Sequence, residues 1–238
     1  MIKKNVLDVS LVKRNYFNQG YNEPMKILHG RNMDFLNFVV KKFNLNFQDK
    51  KILDVGAGSG DMARLFISSF NPKEYTALDF DNFLIFKKNI KFVKSNLNQL
   101  SEINNFLNNY KSYFDCILLF DIIEHIVYFD YFLSNIHKLL KPNGCVIIGL
   151  PLDINLSSRV KMLFKNNIFS PFNGVHGHIN LFSYKDISRL RNLKSLKLVI
   201  SKKCGLGYGL YDEKYHLNLL ADLFNGLCSR IYLFYKKV

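Results

Sequence analysis

The chain has 238 residues, 48% of them hydrophobic, enough for one well-buried domain of ordinary size. No apolar run reaches the roughly 18–20 residues of a membrane helix, and residues 1–8 lack the apolar stretch of a signal peptide. The four cysteines are widely separated and the net charge is +14, which excludes a disulfide framework and points to a cytoplasmic protein with either a functional basic surface or a lysine-rich coding bias.

Residues 1–23 carry scattered aromatics, Tyr16, Phe17 and Tyr21, with little periodicity. Pro24 suits a helix start, and Phe35, Leu36, Val39, Val40 and Phe43 follow at helical spacing. Residues 1–46 therefore read as an N-terminal helical flank or lid. From residue 51 a strand–helix rhythm sets in. The pattern predicts strands over 51–55, 74–79, 90–94, 113–120 and 145–150. Helices are expected over 60–70, 100–110 and 128–140, with a weakly patterned one between the second and third strands. Past Pro151 the rhythm loosens into a helix over 155–164 and a loop over 166–180. Ser183-Tyr-Lys-Asp186 then has capping-box form, with Asp in place of Glu or Gln. Strands over 196–202 and 229–236, with a helix over 217–223 between them, complete the pattern. The expected fold is α/β, a doubly wound, seven-stranded, mainly parallel sheet with helices on both faces. It occupies residues 47–238, with a substrate-side insertion at about 151–182.

The stretch Lys51-Ile-Leu-Asp-Val-Gly-Ala-Gly-Ser-Gly60 runs a strand through three alternate glycines into a helix N-terminus. Such a turn brings backbone N–H groups close to a ligand lying across it. A dinucleotide fingerprint would need a small residue at position 61, where Asp61 would face a pyrophosphate, and no Gly-Lys-Ser/Thr of a P-loop follows. The pattern Asp54-x-Gly56-x-Gly58-x-Gly60 instead resembles the first motif of the class I S-adenosylmethionine-dependent methyltransferases. The resemblance implies that S-adenosylmethionine is the cofactor, with Gly56, Ala57, Gly58 and Gly60 forming the floor beneath its methionine part. It gives Asp54 the ammonium group, directly or through water, and Asp79, at the end of the second strand, the ribose hydroxyls. Phe80 is implied to flank the adenine, with Asn96 and Leu97 after the third strand beside the adenine amino group.

A second stretch, Asp121-Ile-Ile-Glu124-His125, ends the fourth strand and looks like the Asp-x-x-Glu-His of the family's small-molecule branch. Lys141-Pro-Asn-Gly144 resembles the same branch's turn before its fifth strand. Asp54, Asp79 and Asp121 all fall at the carboxyl ends of strands, where open α/β sheets bind ligands, and three acids there would suit a cationic cofactor. Phe120 and Asp121 are expected to border the methyl group. His125 reads either as a neighbour of the transfer site or, with Glu124, as a tie between the helix start and the sheet. The Asn/Asp-Pro-Pro-aromatic turn of enzymes that methylate the exocyclic amines of bases is missing here.

An oxygen nucleophile benefits from a base within reach of its proton. Gly174-Val-His176-Gly-His178 supplies two imidazoles on the long loop, with His178 the first choice of base and His176 the second. His-x-His could also be a metal pair, but no third ligand is assignable from sequence, so no metal is expected. The expectation is methyl transfer to a small-molecule acceptor, most simply to oxygen. An RNA methyltransferase using the basic surface, or a non-catalytic scaffold of the same fold, stand as alternatives.

Overall fold

The three-dimensional structure is a computed structural model that describes residues 23–155, 178–204 and 228–238, together with Arg159 and Leu163. Helix α1, Glu23–Phe43, precedes β1, Lys51–Val55, and α2, Asp61–Phe70. Strands β2, Glu74–Asp79, and β3, Ile90–Lys94, lead to α3, Leu100–Asn109, and β4, Phe114–Phe120. A 3-10 turn, Ile123–His125, is followed by α4, Phe129–Asn135, a second 3-10 turn, Ile136–Lys138, and β5, Leu140–Pro151. The short α5, Ile187–Leu190, then precedes β6, Leu196–Cys204, and β7, Arg230–Lys237. The predicted helices over 155–164 and 217–223 fall largely or wholly outside the described residues.

The strands hydrogen-bond in the order β3-β2-β1-β4-β5-β7-β6. The pairs from β3 through to β5 are parallel, while β7 runs antiparallel to both β5 and β6. The expected mainly parallel sheet is therefore present, with one antiparallel strand inserted near its edge. Alternation along the strands sends side chains to two cores. Leu53, Val55, Leu78, Ile117, Leu119, Val146 and Ile148 face one side, where α3 and α4 supply Ile103, Phe106, Phe132 and Leu133. Ile52, Tyr75, Cys116, Leu118, Ile147 and Phe234 face the other, covered by Met62, Ala63 and Phe66 of α2 and by Met33, Phe35, Leu36 and Val39 of α1. The N-terminal helix thus packs into the same core as the sheet. Cys116 and Cys145 are buried thiols, as their apolar surroundings in the sequence lead one to expect.

Helix α2 begins directly after Gly60, buries Met62, Ala63 and Phe66 on one stripe, and ends at left-handed Asn71, whose N–H donates to Ile67 O. Ser183 and Asp186 form the expected capping box, the Asp186 carboxylate accepting from both the backbone N–H and the hydroxyl of Ser183 at 2.8 and 2.6 Å. The weakly patterned helix between β2 and β3 does not form. Asp81 Oδ1 accepts the Asn82 N–H and Asn82 Oδ1 accepts the Leu84 N–H, local bonds that compete with a helix. The segment instead lies across the glycine turn, burying Phe83 and Leu84. Among the described residues no helix is long and apolar enough to cross a membrane.

Candidate active site

The carboxyl ends of β1, β2 and β4 stand side by side, with Val55 paired to Leu78 and to Leu119. From there the chain turns through Gly56, Gly58 and Gly60, at φ +74°, +51° and +82°. These are left-handed conformations that cost side-chain-bearing residues energy. Space is as restrictive as torsion. A Cβ on Gly56 would stand 2.5 Å from Ile122 Cδ1, and one on Gly60 2.8 Å from the Phe86 carbonyl oxygen. The Gly56 N–H donates to Leu78 O at 2.8 Å, and Ser59 O accepts the Ile85 N–H at 2.9 Å, which ties the 80–89 segment onto the turn. Ala57 is buried against Ala77 and Leu84. Asp61, whose charge counts against a pyrophosphate, accepts the Ser59 hydroxyl at 2.5 Å and faces Arg64 at 3.8 Å.

Asp79 links the turn to β2. Its Oδ2 accepts the Gly58 N–H at 3.0 Å and its Oδ1 the Phe80 N–H at 2.8 Å. Burial raises its pKa to about 6, the two backbone N–H groups working against that rise and Asp81 adding to it. Asp54, on β1, is only 3% exposed and accepts the Tyr75 hydroxyl at 2.8 Å. Burial raises it to about 7, against the pull of that hydrogen bond and with a further push from Asp79. Two carboxyl groups are therefore held where an arriving cation or hydroxyl donor would favour their charged forms.

The remaining residues expected near the cofactor are less uniform. Phe80 stands at the turn after β2, edge-on to Phe83 at 5.0 Å between ring centres. Asn96 Oδ1 already accepts the Asn98 N–H at 3.0 Å, so only its second lone pair remains for an amino group. Leu97 and Phe120 are buried, at 6% and 7% exposure. Asp121 requires a correction. It is not a third acid facing a cation, because Arg230 clamps both of its oxygens at 2.6 Å. Arg230, 5% exposed, also donates to Tyr232 Oη at 2.8 Å and to Asn32 Oδ1 at 3.2 Å. The clamp joins α1, the end of β4 and the start of β7. Its pairing neutralises the Asp121 charge, and Asp121 itself holds φ +53°.

His125 and His178 cluster beyond the ends of β4 and β5. His178 Nδ1 lies 2.6 Å from Asp153 Oδ1, and Asp153 Oδ2 accepts the Phe182 N–H at 3.2 Å. An ionised carboxylate only accepts, which puts the hydrogen on Nδ1 and makes Nε2 the basic nitrogen of the neutral ring. That Nε2 stands 4.0 Å from Oε1 of Glu124, a side chain 1% exposed. The His125 and His178 rings meet edge to face with centres 5.1 Å apart. Burial pushes the Glu124 carboxyl well above the usual range, helped by Asp121 and Asp153 and opposed by Arg230. The Glu124 carbonyl accepts the N–H groups of Ile179 and Asn180 at 2.9 and 3.0 Å. The 3-10 turn is thus tied to the returning loop, where the sequence suggested a tie to the sheet. His176 lies outside the described residues.

Sequence reasoning missed Asp153 and Arg230. Asp153 follows the fifth strand and carries no motif, and Arg230 is separated from Asp121 by 109 positions.

A family model described as "Methyltransferase domain" matches residues 25–194. The chain belongs to that family, and its fold and glycine turn are those of a class I S-adenosylmethionine-dependent methyltransferase. It is 31% identical over 158 residues to "Ubiquinone biosynthesis O-methyltransferase" of Rickettsia prowazekii, a match spanning 62% of this chain and 58% of that protein. The protein of the same description from Rickettsia bellii is 28% identical over 208 residues, spanning 81% of this chain and 80% of that one. "Ribosomal protein L11 methyltransferase" of Prochlorococcus marinus is 30% identical over 139 residues, spanning 54% of this chain and 42% of that protein. Among solved structures, the plantazolicin methyltransferase BamL, in complex with a triazolic desmethylPZN analog and S-adenosylhomocysteine, superposes with a TM-score of 0.61. It is 17% identical, over 96% of this chain and 90% of that one, and so speaks for the fold alone.

S-adenosylmethionine is the cofactor, and the residues present fit it. The cradle at Gly56 and Gly60 has no room for a Cβ, and Asp54 and Asp79 offer carboxylates to an ammonium and a diol.

Proposed function

We propose that this methyltransferase acts on a small-molecule acceptor and delivers the methyl group to an oxygen. When bound, the cofactor supplies a methyl carbon on a sulfonium, whose bonding pair stays with sulfur as an acceptor lone pair takes the carbon. Gly56, Ala57, Gly58 and Gly60 support its methionine part, Asp54 receives its ammonium and Asp79 its ribose hydroxyls. Phe80, Asn96 and Leu97 border its base, and Phe120 and Asp121 line the transfer side.

The reading is carried by His178 and Asp153. With Nδ1 held at 2.6 Å by the carboxylate, His178 presents Nε2 as a base oriented before any acceptor arrives. His125 packs against that ring and limits its tilt. His176, two residues away, belongs to the same proposed base supply. The O-methyltransferase description of the Rickettsia relatives agrees with such a base. The segment of about 151–182, to which Asp153 and His178 belong, is assigned the selection of the acceptor. The flank of residues 1–46 is assigned to closing that side.

Incubation with labelled S-adenosylmethionine and fractionated cell extract tests the reading. Label is expected in small organic-soluble or aqueous metabolites, as a base-stable ether or a base-labile ester. Label confined to RNA or protein fractions would overturn it. His178→Ala is expected to lower kcat by about 100-fold or more, the usual contribution of a positioned base, with binding of S-adenosylhomocysteine retained.

A further inference from the structure

The cluster on the acceptor side has more donors than a single base requires. Glu124, His125 and His178 each bring one ligand atom into a group whose members lie within 4.8 Å of one another. Ligands of one small ion stand on the order of 3–3.5 Å apart when metal–nitrogen and metal–oxygen bonds are about 2.0–2.2 Å. Side-chain rotations of about 1 Å would therefore close the group. The surroundings resemble a metal's outer shell more than a hydrogen-bonded core. His178 Nδ1 is fixed by Asp153 at 2.6 Å, the carboxylate–histidine arrangement that orients a ligating imidazole and raises its basicity.

Glu124 supplies the second observation. The side chain is 1% exposed, yet its Oε2 has no hydrogen-bond partner among the described residues. A buried carboxylate oxygen left so is costly, and a cation would remove that cost. Asp121 is excluded from the donor set because Arg230 occupies both of its oxygens. The backbone is clipped in place as well. Asn180 Nδ2 donates to Ile126 O at 2.8 Å, beside the two N–H bonds to Glu124 O, so the two segments that carry the ligands are joined.

We propose that Glu124, His125 and His178 bind one divalent transition-metal ion, with Asp153 orienting His178 from behind. Two imidazoles and one carboxylate favour Zn2+, Mn2+ or Co2+ over Mg2+ and Ca2+, which prefer all-oxygen shells. Three protein ligands leave coordination positions open, and an acceptor presenting oxygen donors would fill them. The class of acceptor narrows accordingly to small molecules with a hydroxyl oxygen able to coordinate a metal. With the ion held through Nε2, His178 would act as a ligand in place of the base assigned above, and the acceptor's hydroxyl proton would leave to solvent from an oxygen acidified by coordination as that oxygen takes the methyl carbon. This assignment rests on the cluster being the acceptor side of the methyl-transfer site.

Chelator-treated full-length protein is titrated with Zn2+ and with Co2+, following metal per chain, the visible absorption of bound Co2+ and the melting temperature. One equivalent per chain is expected, with a rise in melting temperature. Asp153→Asn should weaken binding about 10–100-fold, the range for a residue that orients a ligand. Glu124→Gln, nearly the same shape, and His125→Ala should each weaken it more. If the buried Glu124→Gln folds poorly, His125→Ala decides. No stoichiometric binding by the wild type, or binding unchanged in Glu124→Gln and His125→Ala, would overturn the site. S-adenosylhomocysteine binding is measured on the same samples. If it persists while metal binding is absent, the cation site alone falls; if both fail, the methyltransferase site as assigned falls with it.

Discussion

Asp54 and Asp79 sit beneath the cofactor turn with their pKa values raised, chiefly by burial, to about 7 and about 6. In the unfolded chain both titrate near 3.8. The folded protein without ligand therefore holds more protons than the unfolded chain between about pH 4 and pH 7, and its stability falls as pH rises through that window. A ligand carrying an ammonium and a diol prefers the ionised carboxylates, so its affinity moves in the opposite sense. The dissociation constant for S-adenosylhomocysteine is expected to tighten by up to about tenfold per unit between about pH 6 and 7, where Asp54 alone still titrates, more steeply below 6, where both acids do, and to flatten above about 7. Calorimetric titration at several pH values checks this, and a flat profile would remove both acids from the site. Asp79→Asn should weaken binding by about 10–100-fold, since a hydrogen bond to a charged group is worth about 1.5–3 kcal/mol. The glycine motif and its two acids were legible before folding because local backbone conformation and strand ends set them. The Asp121 clamp was not, since only tertiary packing brings Arg230 to it.

The elements that matter most to the site are those that meet at that clamp. Helix α1 contributes Asn32, the end of β4 contributes Asp121, and β7 contributes Arg230 and Tyr232. Removing the anion would leave a guanidinium, 5% exposed, without its countercharge. Asp121→Ala is thus expected to cost about 3–5 kcal/mol, the usual penalty for breaking one side of a buried pair. For a domain of this size the melting temperature would fall by about 6–20 °C. Asp121→Ala combined with Arg230→Leu should recover part of the loss, because the double change no longer buries an unpaired charge. Thermal denaturation of the three variants measures it, and an Asp121→Ala protein as stable as the wild type would show the clamp to be energetically idle. Most element bounds follow from hydrophobic periodicity and agree with the sequence reading within a few residues. The helix expected between β2 and β3 is the exception. Asp81 and Asn82 satisfy nearby backbone N–H groups there, and Ser59 draws the segment onto the glycine turn.

At the scale of the whole molecule, basic side chains among the described residues stand at both ends of the sheet. Lys51 lies over Tyr113 at 3.7 Å, Lys91 over the same ring at 5.5 Å, and Lys236 over Phe43 at 5.5 Å. Lys51 and Lys91 stand at the amino ends of β1 and β3, and Lys236 pairs with Cys145 near the start of the β5 core. All three are at the end of the sheet opposite the glycine turn, while Lys94 faces Asp81 at 3.6 Å at the carboxyl end of β3 and Arg64 faces Asp61 at 3.8 Å beside the turn. The fold as a unit should respond to its cofactor. S-adenosylhomocysteine at about 100 times its dissociation constant adds roughly 2.7 kcal/mol, a melting shift of about 5–10 °C for a domain of this size. NAD should give none, because Asp61 stands at the helix N-terminus where a pyrophosphate would sit. A scan with both ligands checks the pair, and equal shifts would contradict the cofactor assignment.

The order of residues along the chain alone determined the glycine turn, the acids at the strand ends beside it, the strand–helix alternation and the family to which they belong. These are short-range properties, since glycine torsions, strand ends and hydrophobic periods are local. Tertiary structure decided which charges are spent within the protein and which face a ligand. Arg230 neutralises Asp121 at the end of β4, and Asp153 turns His178 into an oriented imidazole. The loop around residue 180 delivers that imidazole to Glu124 and His125, some fifty residues distant in sequence. No local pattern encodes such meetings, because they depend on where separate strands end in the same sheet.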